Sequence, residues 1–222
     1  MLRDFDKYTY PKLTRDETTG IRLYKTPEGD LVPSVTTILS KTKDMAGLRN
    51  WENRVGKKEA ERIRNEAAAV GTSMHLTLEC HVEDKKREFD FSPVHAQASP
   101  MADVIIRDGL QFVSEVWGSE VLYYKDQYAG TTDLVGMYKG VPHIIDFKQT
   151  NKPKQEKWIQ DYYLQLAAYI HAHNYTVGTD IKHGVVLMCS RDLQLQKFEL
   201  DEIKFDKYSY MWFNRLREYT SC

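Results

Sequence analysis

The chain has 222 residues, 41% of them hydrophobic and 28% charged, with a formal net charge of −1. That balance suits one globular domain with a sizeable core, residues 1–222, and no apolar run approaches the roughly 20 residues of a membrane span. Cys80, Cys189 and Cys222 are odd in number and far apart, which excludes a disulfide framework and a four-cysteine iron–sulfur cluster.

The start, Met1 to Lys7, carries acidic residues and no apolar core, so a secretory leader is not expected and the cytoplasm is the expected compartment. Residues 1–33 are polar and punctuated by Pro11, Gly20, Pro27, Gly29 and Pro33, as in a short hairpin or extended lead-in. Helical spacing begins at Val35, Ile38 and Leu39, continues through Leu48, Trp51 and Val55, and passes into a charged, helix-prone run from Lys57 to Val70. Gly71-Thr72 is expected to break that run, with Thr72 capping a further helix that carries His75, Leu78, Glu79 and Val82. A charged loop over 84–88 follows, then a helix expected from Ser99-Pro100 to about Gly118. The period then switches to two. Val121–Tyr124, Thr132–Tyr138 and His143–Phe147 read as a three-stranded meander, the last two strands joined by a tight turn at Lys139-Gly140. A helix over Trp158–Asn174, strands at Gly184–Cys189 and Leu195–Leu200, and a terminal helix over Asp201–Tyr219 complete an α/β order. Residues 1–70 thus form a lead-in with a helical elaboration, and 71–222 a core.

Antiparallel pairing of the second and third meander strands brings Asp133 and Asp146 to one sheet end. Two adjacent carboxylates repel unless a cation lies between them, and hard oxygen donors favour Mg²⁺ or Mn²⁺. Lys148, two residues beyond Asp146, projects to the same face. A divalent cation beside an ammonium is what phosphodiester hydrolysis requires, although Asp-x-Lys alone recurs by chance in any charged sequence.

The wider set is specific. Gly71-Thr72-Ser73-Met74-His75, Glu120 at a strand start, Gly130-x-x-Asp133, Asp146-Phe147-Lys148 and Gln165-x-x-x-Tyr169 follow one another in the order of the PD-(D/E)XK (RecB-like) nucleases. The chain resembles in particular the mitochondrial genome maintenance exonuclease branch and its phage and bacterial relatives, over most of residues 33–175. The resemblance implies a restriction-endonuclease-like core, a central mixed sheet flanked by helices. It implies His75, Asp133, Asp146 and the Phe147 carbonyl as metal ligands, Lys148 as catalytic, and Glu120 in contact with the metal or its water. Gln165 and Tyr169 would position DNA, and Glu79, one turn beyond His75, either steadies the imidazole or is a solvated charge. Gln149 departs from the family, where threonine is commoner.

For DNA, Lys152, Lys154 and Lys157 offer local positive charge, as do Arg49, Arg54, Lys57, Lys58, Arg62 and Arg64, while Trp51, Trp158, Tyr162 and Tyr163 could stack on unpaired bases. Alternating glutamates leave a merely solvated helix face as an equal reading of that charged segment. The expected function is a metal-dependent exonuclease acting on single-stranded DNA from free ends in replication, repair or degradation, in a bacterial or phage-infected cytoplasm, with no membrane and no obligate protein partner. A structure-selective endonuclease and a catalytically silent DNA-binding module are the alternatives.

Overall fold

The computed structural model describes residues 1–16, 18, 20–125 and 127–221, with residues 120–125 as backbone only. A six-stranded mixed sheet forms the centre, in the order β1–β5–β6–β7–β8–β9. Its strands are β1 (Leu2–Arg3), β5 (Val113–Lys125), β6 (Tyr128–Tyr138), β7 (Val141–Thr150), β8 (His183–Ser190) and β9 (Leu195–Leu200). β5, β6 and β7 run antiparallel as a meander, β8 lies parallel to β7, and β9 returns antiparallel to β8. The β6–β7 turn holds Lys139 at φ 50° and Gly140 at φ 79°. Two successive positive φ values are the backbone of the tight hairpin turn that suits strand twist.

Alternation along the strands divides the core in two. Val135, Ile144, Val186 and Met188 face one side, under α1 (Val35–Lys41), α5 (Gln160–Val177) and α6 (Glu202–Thr220). Leu134, Ile145, Phe147, Val185 and Leu187 face the other, under α3 (Lys57–Val82) and α4 (Pro93–Val104). This is the expected mixed sheet flanked by helices. Strand side chains that alternate between two apolar layers are the mark of a sheet covered on both faces.

The N-terminal lead-in is more ordered than a hairpin. β2 (Thr14–Asp16), β3 (Leu23–Lys25) and β4 (Leu31–Pro33) make a separate antiparallel sheet, and β1 adds to the main sheet beside β5. Arg3 donates to the carbonyls of Val82 and His81 at 2.6 and 3.0 Å, so it caps the end of α3, where carbonyls lack helical partners.

Two helix boundaries differ from the expectation. α3 runs unbroken through Gly71-Thr72, and Thr72 donates back to the Ala68 carbonyl instead of capping a new helix. Val70, Met74 and Leu78 stay buried along one face across the glycine, and their packing outweighs the roughly 1 kcal/mol that an internal glycine costs. α4 begins at Pro93, with Ser92 accepting from His95 N–H, and Pro100 lies inside it. Ser92-Pro93 satisfies the start of the helix, so the similar Ser99-Pro100 does not mark one. The helical stretch passes through a π turn (Ile105–Gly109) and a 3-10 turn (Leu110–Phe112), and Val113–Gly118 is already strand. Between α1 and α3 lies α2 (Ala46–Val55), none of whose residues is buried. Among the described residues no helix is long and apolar enough to cross a membrane.

Candidate active site

β6 and β7 pair from Tyr138↔Val141 to Leu134↔Ile145. One further step would set Asp133 against Asp146, and there the ladder opens. Phe147 N–H donates to Asp133 Oδ2 at 2.6 Å, and Thr132 Oγ1 donates to the Ile145 carbonyl at 3.2 Å. Side chains replace the backbone partners, and both carboxylates stand at the opening. Because N–H and C=O of one strand residue point to the same side, the Phe147 carbonyl also faces it.

His75 arrives from α3, with Nδ1 at 3.1 Å from Asp133 Oδ1. Asp146 is 2% exposed. Its Oδ1 accepts from Gln165 Nε2 at 3.3 Å, and Lys148 Nζ forms an ion pair with Oδ2. Lys148 also lies 5.4 Å above the Tyr162 ring. Gln165 donates to Tyr169 Oη at 2.8 Å, which links both α5 residues to Asp146. Gly130 makes this possible: a Cβ there would lie 2.4 Å from Tyr169 Cε1.

The environments separate the two carboxyls. Burial alone would raise Asp133, but the His75 charge and hydrogen bond, Lys148 and the Phe147 N–H hold it below the ordinary value. Burial raises Asp146, with Asp133 adding to the effect and Lys148 opposing it. Burial works against a charged His75, yet Asp133 outweighs it and the imidazole is shifted upward. Lys148 is likewise opposed by burial and raised by Asp146 and Asp133.

The donor set fits a small divalent cation. Two ligands each about 2.1 Å from one octahedral ion lie roughly 3 Å apart, and His75 and Asp133 approach to 3.1 Å. The nearness of the two carboxyls, through which Asp133 adds to the upward shift of Asp146, points the same way. Among the described residues no three His, Cys, Asp or Glu side chains are gathered tightly enough to form a ready-made cluster. The Glu120 side chain lies outside what is described; its backbone is in β5, between Ser119, paired with Leu134, and Val121, paired with Thr132.

A cleft of about 590 Å³ opens over these groups. α3 forms one wall through Ala68, Gly71, Thr72, His75, Leu76 and Glu79, and Thr36, Gln165 and Tyr169 form the other. Arg15 of β2 and Arg22, just before β3, complete the lining. They were not singled out in the sequence. Their approach depends on long-range contacts, the Ser34↔Ala129 bridge and the 3.1 Å hydrogen bond between Tyr24 and Thr131, for which local pattern carries no signal.

None of Trp51, Arg54, Lys57, Lys58, Arg62 and Arg64 is among the residues that line this cleft. Arg62 pairs with Glu59 and Glu66, and Arg64 with Glu52, so the alternating glutamates bind the cations along their own surface. Lys152, Lys154 and Lys157 lie beyond the end of β7, outside the cleft, where Lys154 N–H donates to Gln196. Tyr163 is buried and donates to Glu156, which removes it from base stacking, whereas Trp158 is exposed. Tyr169 is both a core residue and a cleft residue. Gln149 donates to the Ala67 carbonyl at 2.9 Å and ties β7 to α3 two turns before His75.

No protein-family model matches the chain. It is similar to mitochondrial genome maintenance exonuclease 1 of Mus musculus, 26% identical over 206 residues that cover 85% of this chain and 59% of that protein. The Xenopus tropicalis protein of the same name is 28% identical over 179 residues, 72% of this chain and 49% of the other. The human protein is 24% identical over 208 residues, 86% and 59%. The chain therefore spans about half to three fifths of the length of these curated relatives. Among solved structures, an exonuclease candidate from Eubacterium rectale matches with a TM-score of 0.50 at 11% identity, covering 70% of this chain and 68% of the other, a likeness of fold. In sequence the similarity is to proteins named as exonucleases, and in structure it is a likeness of fold.

Proposed function

Starting from that likeness to PD-(D/E)XK exonucleases, we propose that the chain is a metal-dependent DNA exonuclease acting at the opening between β6 and β7 and preferring single-stranded ends. The observation that carries the reading is the convergence of Asp133, Asp146 and Lys148 at the point where the ladder stops, beneath a cleft of about 590 Å³. Asp133, Asp146, the Phe147 carbonyl and His75 would hold Mg²⁺ or Mn²⁺, with Glu120 in the remaining acidic position; such an ion supplies Lewis acidity toward a phosphate oxygen.

The chain's own groups do the rest. Lys148 places its ammonium beside Asp146, where it neutralises charge that develops on the phosphate. Gln165 and Tyr169 back Asp146 from α5 and fix its carboxylate. Arg15 and Arg22, on the wall contributed by the small sheet, contact backbone phosphates. The cleft is shaped by α3 and α1 on opposite sides, which favours a flexible single strand over a rigid duplex.

Matched linear and circular single-stranded DNA, each incubated with Mg²⁺ and with Mg²⁺ plus excess EDTA, test the reading. The expected result is rapid loss of the linear strand, persistence of the circle, and no reaction in chelator. A circle cut as fast as the linear strand would establish an endonuclease instead, and activity in chelator would remove the metal.

A further inference from the structure

Beside the cleft, the loop between α3 and α4 exposes two aromatic rings. Phe89 and Phe91 are 85% and 89% exposed, and their centroids lie 5.2 Å apart at an interplanar angle of 28°. Burying one phenylalanine side chain is worth roughly 1.5–3 kcal/mol, so an isolated exposed ring is ordinary but a stacked exposed pair is a built feature. Among the described residues neither ring has another aromatic contact.

The loop is pinned. Lys85 N–H donates to the Cys80 carbonyl at 2.8 Å, and Ser92 N–H to Asp90 at 2.8 Å. Between them Arg87 donates to the Ser73 carbonyl at 2.7 Å, to Ser73 Oγ at 3.0 Å, and to Thr77 Oγ1. Ser73 and Thr77 stand two residues to either side of His75, so one guanidinium ties the aromatic loop to the turn of α3 that enters the active site. Phe89 borders a hollow of about 400 Å³, lined also by Leu76, Cys80, Lys86, Arg87, Glu88 and Asp90. Leu76 lines the catalytic cleft as well, so the two concavities meet at that residue.

We infer that Phe89 and Phe91 form a stacking platform for unpaired nucleobases of the strand whose backbone enters the cleft, with Lys86 beside the adjoining phosphate. Size decides the occupant. Two phenylalanines offer about 300–500 Å², well short of the roughly 800 Å² per partner of a stable protein interface, but enough for one or two bases. Every base has a π face, so the platform is indifferent to sequence. The inference rests on the nuclease reading, because it takes its ligand from the neighbouring cleft.

The test uses the full chain in Ca²⁺ with a linear single-stranded oligonucleotide carrying 2-aminopurine at successive positions. Because both rings are exposed, Phe89→Leu/Phe91→Leu keeps the fold and the apolar character while removing the π faces, and Phe89→Trp/Phe91→Trp keeps them. The wild type and the tryptophan variant are expected to quench 2-aminopurine at one or two adjacent positions. The leucine variant should lose that quenching and bind about 5- to 100-fold more weakly. A wild type that binds the strand in Ca²⁺ and hydrolyses it in Mg²⁺, beside a leucine variant of equal affinity and quenching, overturns the platform and leaves the nuclease reading standing. A wild type that neither binds nor hydrolyses it overturns both.

Discussion

Replacing Gly130 with alanine should damage the active site through Tyr169. The added Cβ would lie 2.4 Å from Tyr169 Cε1 and 3.0 Å from Cδ1, more than 1 Å inside ordinary contact. Tyr169 is 3% exposed and holds Gln165 through its hydroxyl, so the ring cannot swing away without losing that bond. Overpacking of this kind costs about 1–3 kcal/mol, and a lost buried hydrogen bond adds about 1. A total of about 2–4 kcal/mol lowers Tm by about 4–16 °C in a domain of this size. Thermal unfolding of Gly130→Ala, Tyr169→Leu and the double variant measures it. The alanine penalty should shrink by more than half in the leucine background, where the ring is gone. An unchanged Tm in Gly130→Ala, or an equal penalty in both backgrounds, would refute the packing argument.

Lys148→Ala should lower the rate of nucleotide release by about 10²–10³-fold, and it should also lower thermal stability, because it leaves the buried Asp146 carboxylate without its partner; equal turnover in the two proteins would exclude Lys148 from the chemistry. Arg15→Gln and Arg22→Gln should each weaken binding of single-stranded DNA across all sequences and make the slope of log affinity against log salt shallower by about 0.7, and unchanged slopes would move the phosphates elsewhere. His173 is buried between Tyr10 and Thr179, and burial lowers its pKa from 6.5 to about 4. The folded state therefore binds fewer protons than the unfolded state between those values. The stabilisation is present above pH 6.5 and is lost as pH falls to 4, about 3 kcal/mol in all. Urea unfolding at pH 7, 5.5 and 4 should show a shallower decline in His173→Gln, and identical slopes would contradict it.

The parts of the site that could be read in the sequence are those set by short-range geometry. A period of two places Asp146 and Lys148 on one face, and the turn at Lys139-Gly140 sets the register that brings Asp133 to Asp146. What could not be read depends on partners far along the chain. Gly71-Thr72 has the local character of a helix break, and only burial of Val70, Met74 and Leu78 under the sheet carries α3 through it. The alternation of signs from Lys57 to Arg64 leaves a binding face and a solvated face as equal readings, and only the structure shows that Arg62 and Arg64 pair with Glu59, Glu66 and Glu52 and that Arg15 and Arg22 line the cleft. The role of Gln149 is of the same kind: its amide reaches Ala67, 82 positions earlier in the chain.

The most direct measurement is nucleotide release from linear single-stranded DNA in Mg²⁺ by the wild type and by Asp146→Asn, side by side. The substitution preserves the shape of the side chain that receives Gln165 and removes the charge that would hold the cation. The account predicts release by the wild type and a rate at least about 10²-fold lower in the variant. Equal rates in the two proteins, or no release by the wild type, would contradict it.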